Sequence, residues 1–61
     1  MKDMQAQLDK LRTEASECAL IASLATSKPK RDLFARLAEH YTVLASEVER
    51  AIVQSKLASE D

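Results

Sequence analysis

Ser27-Lys28-Pro29-Lys30, near the middle of the chain, holds the single proline of a 61-residue sequence that contains no glycine. Proline disfavours helical geometry at the residue before it, yet its fixed φ suits the first turn of a following helix. One helix therefore stops here and another starts. On either side the apolar residues recur at alternating steps of four and three, the spacing of a packed helical seam. The expected architecture is all-α, an antiparallel two-helix hairpin that dimerises into a four-helix bundle. Helix 1 is predicted over about residues 3–26, the turn over 27–28 and helix 2 over 29–57, as one domain spanning 1–61.

Before the proline, Met4, Leu8, Leu11, Ala15, Cys18, Ala22 and Ala25 form one seam. Asp3 suits the positive end of the helix dipole. Leu20, Ile21 and Leu24 lie off that seam and widen the apolar surface near the hairpin tip, so this part of helix 1 needs a neighbour beyond its own hairpin. After the proline two seams run side by side. Leu33, Leu37, His40, Leu44 and, past a gap at Glu47, Ala51 make one; Phe34, Ala38, Tyr41, Ala45, Val48 and Ile52 make the other. Their combined arc of about 160° exceeds what one neighbour can cover, so one seam faces helix 1 and the other a second subunit. The expected interface set is thus Leu33, Phe34, Leu37, Ala38, Tyr41, Leu44, Ala45, Val48 and Ile52, with Leu20, Ile21 and Leu24.

The outward residues Asp32, Arg36, Glu39, Glu49 and Arg50 make a wet face, with Asp32 and Arg36 at i,i+4 spacing. A turn centred near Pro29 pairs residues whose numbers sum to roughly 57 or 58, which sets Ala22 near Ala35 and Cys18 near His40. Small residues along the seams favour close approach of the two backbones.

Length argues for assembly as well. A chain of 61 residues buries a smaller share of its surface than a larger domain, and neither a disulfide framework nor an aromatic-rich core compensates. With 46% apolar and 31% charged residues the composition is that of a folded protein with exposed helices. Nine basic and ten acidic residues leave a formal net charge of -1, which creates no field to attract nucleic acid or an anionic membrane. The basic tip, Lys28, Lys30 and Arg31, reads as a solvated loop. Met1-Lys2-Asp3-Met4-Gln5 lacks the apolar run of a signal peptide, and no stretch approaches the ~20 apolar residues of a membrane span. A single cysteine suits a reducing compartment, so the expected location is the cytoplasm.

No catalytic, cofactor-binding or metal signature is complete, and the expectation is a protein that is not an enzyme and carries no cofactor. Cys18 and His40 are the one pair with chemical potential, as an imidazole-activated thiolate or, across a two-fold dimer, a Cys2His2 zinc site. Cys18 sits on an apolar seam, where a thiol is inert packing, and His40 reads as a seam-edge ring that is partly buried. Tyr41 reads as a core or interface aromatic. Val43, Val53 and Leu57 fall within about 80° of one another away from both seams, a possible partner strip set against ordinary surface and a fraying end at Ala58-Ser59-Glu60-Asp61.

Glu17-Cys18, Ala22, Pro29, Arg31, Leu37-Ala38, Tyr41 and Leu44-Ala45 resemble the pattern of a widespread group of short, uncharacterised bacterial helical-hairpin proteins, over roughly residues 14–50. That pattern has an aspartate where this chain has Lys28, and one more residue between the proline and the arginine. The resemblance implies a helical hairpin and no particular activity. The functional expectation is a non-enzymatic protein-protein interaction or small regulatory module that acts as a homo-oligomeric bundle and engages another protein. An RNA-binding hairpin dimer of the plasmid copy-control kind is the alternative, and a metal or redox site at Cys18 and His40 a second. Dimer and tetramer are equally compatible with the pattern.

Overall fold

The computed structural model describes residues 2–59 and shows two α-helices packed side by side, α1 over Lys2–Leu24 and α2 over Lys28–Ser59. Met1, Glu60 and Asp61, the last two part of the expected fraying end, lie outside the described residues. The all-helical hairpin follows from the sequence pattern, with ends displaced by one or two residues. The connection is residues 25–27 rather than 27–28, because Ser27 starts α2 earlier than the proline suggested.

Ser27 is the N-cap. Its Oγ lies 3.5 Å from the Lys30 backbone N–H, and its carbonyl accepts the first helical bond from Arg31 N–H at 3.0 Å. Pro29 then occupies the second helical position, where its missing N–H is equally harmless. At the other side of the connection, the Ala25 N–H reaches back to the Ala22 carbonyl at 3.4 Å, a tightened last turn. Lys28 and Asp32 form an i,i+4 ion pair at 2.8 Å, so Asp32 is held by Lys28 and not by the expected Arg36.

Every member of the expected α1 seam, from Met4 to Ala25, is buried or half-buried. On α2 it is the Phe34, Ala38, Tyr41, Ala45, Val48, Ile52 seam that meets α1, while Leu33, His40 and Leu44 of the other seam are exposed. The core proper is Leu8, Ala45 and Ile52, flanked by Met4, Leu11 and Val48. All six belong to the half of the hairpin that holds the chain ends.

The register differs from the expected one. Arg12 and Glu49 bridge the helices at 2.9 Å, and Ala15 and Ser16 share a groove with Ala45 and Ser46, so facing residues have numbers that sum to about 61. That moves α2 by roughly one turn and sets Ala22 beside Ala38 rather than Ala35. The reason lies in the cap: α2 begins at Lys28, before the chain has returned to the level of Leu24. Its first two to two and a half turns, about residues 28–36, therefore overhang the end of α1. The lengths agree, since 32 residues of α2 rise about 48 Å and 23 of α1 about 35 Å in a molecule 52 Å long. The radius of gyration is 14.6 Å, against about 10.5 Å for a compact domain of this length.

Candidate functional surface

A hairpin of two helices has two broad faces and two narrow edges, and here the broad faces differ in chemistry. With about 100° per residue and the direction of α1 as zero, Leu33, Leu37, His40, Leu44 and Ala51 fall some 60–120° to one side of α2. Because the helices are antiparallel, Ile21 of α1 lies on that same face. This is an apolar face, and it is wet: Leu33 is 49% and Leu44 46% exposed, and a shallow depression lies between His40, Val43 and Leu44. At the outer edge of α1 near the tip, Leu20 and Leu24 are also exposed, Leu24 at 72%.

The opposite broad face is polar. A groove of about 390 Å³ runs between Arg12, Ala15 and Ser16 of α1 and Thr42, Ala45, Ser46 and Glu49 of α2. It exists because the alanines are too small to fill the space between the helices. Its charges compensate each other through the Arg12–Glu49 bridge, whose side chains are both about half exposed, so the pair contributes little to stability. The Thr42 hydroxyl donates to the Ala38 carbonyl at 2.8 Å, and Thr13 and Ser23 donate to their own helix in the same way. These three hydroxyls have their protons bound by backbone carbonyls of their own helix.

Cys18 and His40 are not brought together. Cys18 is buried, 6% exposed, between the helices, whereas His40 is exposed on the apolar face and stands about one turn from the level of Cys18 in the observed register. The partial burial expected for the His40 ring within a hairpin is absent, because its seam is the outward one. Among the described residues, no group of three or more His, Cys, Asp and Glu side chains is placed to hold a metal ion. Tyr41 is half-buried on the inner seam. Val43, Val53 and Leu57 are all exposed, as their outward positions imply. No helix, among the described residues, is long and apolar enough to cross a membrane.

Sequence periodicity found both α2 seams but could not say which one turns inward. The ion pair at Arg12 and Glu49 was missed, and the signal for it was the register, since the two residues face each other only when numbers sum to about 61. The feature that separates this surface from ordinary exposed leucines is its concentration. Leu20, Ile21, Leu24, Leu33, Val43 and Leu44 all lie in the tip half, with only Val53 and Leu57 elsewhere among the described residues. Searches of protein-family models, curated proteins and solved structures give no match to the chain, so the reading of this surface rests on its own chemistry.

Proposed function

We propose that the protein is a non-enzymatic interaction module that works as a homo-oligomeric helical bundle in the cytoplasm and presents its remaining outer surface to another protein. The observation that carries this is the area left wet. The hairpin exposes 4770 Å², whereas a compact monomer of its mass exposes about 4,000 Å². The excess, about 800 Å² per chain, is what each partner contributes to a stable interface of standard size. It is accompanied by exposed leucines grouped in one half of the molecule. An unpaired cysteine buried in the seam suits a reducing compartment, which supports the cytoplasmic location.

Val43, Val53 and Leu57 remain for a protein partner, as an outward strip on α2. Sedimentation of the full chain from 1 to about 100 μM tests the oligomer. A species of twice the chain mass or more is expected, and a helical single copy throughout that range refutes the reading. Affinity capture with wild-type and Val53→Asp/Leu57→Asp baits then tests the strip. A protein held by the first and lost from the second is expected, and equal recovery removes the strip from the proposal.

A further inference from the structure

Taken from Lys30 to Glu47, short of Ala51, the outward seam of α2 is symmetric in its positions. Lys30, Leu33, Leu37, His40, Leu44 and Glu47 follow at steps of three, four, three, four and three, so their positions, as in any heptad seam, map onto themselves about the midpoint between Ala38 and Glu39, and what is particular to this strip is that the map sets a lysine on a glutamate. A two-fold axis placed there and normal to the helix sets Leu33 of one chain against Leu44 of the next, Leu37 against His40, and Lys30 against Glu47. A parallel pairing instead sets lysine on lysine and glutamate on glutamate. Opposite charges at the two ends of an apolar strip therefore select the antiparallel arrangement.

We infer that this strip is where a second copy of the chain docks, α2 against α2 in antiparallel, isologous fashion, with Ile21 packing beside it; the inference rests on the homo-oligomer reading above and names its interface. The observations agree on this occupant. Leu33 and Leu44 are exposed in the single hairpin, and the overhang of α2 leaves Leu33 without an α1 neighbour at its level. A partner hairpin related by the axis covers both leucines at once. The formal charge of -1 places no long-range repulsion between copies. The surface excess matches one partner's share of a standard dimer interface. Self-complementarity of a single patch is the property that a two-fold contact requires and that a foreign partner does not.

The test combines sedimentation with cross-linking of the full-length chain. Leu44→Asp buries two unpaired carboxylates per dimer and is expected to raise the dimer dissociation constant at least about tenfold. Ser46→Asp, exposed on the opposite broad face at nearly the same level, is expected to leave it within about threefold. If the wild type is a single copy, both this inference and the parent reading fall. If Leu44→Asp associates as tightly as the wild type, only this interface falls.

Geometry is read separately, in a Cys18→Ala background that keeps its helical circular dichroism, so that loss of folding in the aspartate variant cannot obscure the result. A mixture of Leu33→Cys and Leu44→Cys chains is expected to cross-link through a short bifunctional thiol reagent. Leu44→Cys alone is expected to fail, because its two copies stand about 16 Å apart along the axis. Cross-linking of Leu44→Cys alone, or none in the mixture, overturns the antiparallel pairing.

Discussion

The half of the hairpin that holds the chain ends and the half that holds the turn are built from opposite choices. In the first, Leu8 and Ile52 point inward, 3% and 6% exposed, with Met4, Leu11 and Val48 packed around them. In the second, α1 turns only Cys18 and Ala22 inward, with Ala25 of the connection, against the half-buried Phe34 and Tyr41 of α2, while Leu20, Ile21, Leu24, Leu33 and Leu44 point away from the seam. Both halves carry large apolar residues on α1, but only the half with the chain ends turns them inward. An α1 whose small residues face in and whose large ones face out near the turn leaves an apolar surface on the outside of the hairpin, which is the surface the proposed assembly would use.

The contrast predicts unequal responses to the same mutation. Leu8→Ala removes the most buried side chain of the core and should cost about 2–5 kcal/mol in urea unfolding. Leu24→Ala, at a position 72% exposed, should change it by less than about 0.5 kcal/mol. Equal losses at the two sites would erase the distinction between the halves. Enlarging the inner seam sharpens it: Ala45→Leu should overpack the contact with α1 and lower stability by about 1–3 kcal/mol, measured by thermal melting at fixed concentration. An unchanged midpoint would mean that the groove beside Ala45 absorbs the extra methylenes.

Ser27→Ala probes the turn, at the extremity of the second half. It should cost toward the lower end of the 0.5–2 kcal/mol typical of caps, because the Oγ contact is long at 3.5 Å. The smallest effect belongs to Arg12→Ala on the polar face. Its half-exposed bridge to Glu49 should contribute below about 0.5 kcal/mol, and that contribution should vanish in 1 M salt. A loss above 1 kcal/mol that salt leaves intact would require a buried role for the groove.

Most of the fold was legible because it depends on periodicity and one proline. The seven-residue seam of α1 could be read residue by residue, since each step of three or four returns to the same side of a helix. The α2 seams were legible as a pair, but their assignment was not: Leu33–Leu44 and Phe34–Ala45 have the same spacing, and only packing against α1 breaks the tie. Register was misread by about one turn because the sequence shows where a turn is but not how far a capped helix overshoots it. The pairing of Cys18 with His40 failed with the register, and further because His40 belongs to the outward seam. The surface excess was not legible at all, as it is a property of shape.

Cys18 gives the molecule a built-in reporter. It is the sole thiol of the chain and lies almost wholly between the two helices, so a water-soluble alkylating reagent can reach it only when α1 lifts away from α2. The rate of its labelling is then a clock for opening, one that needs no introduced probe and that slows whenever something clamps the helices together.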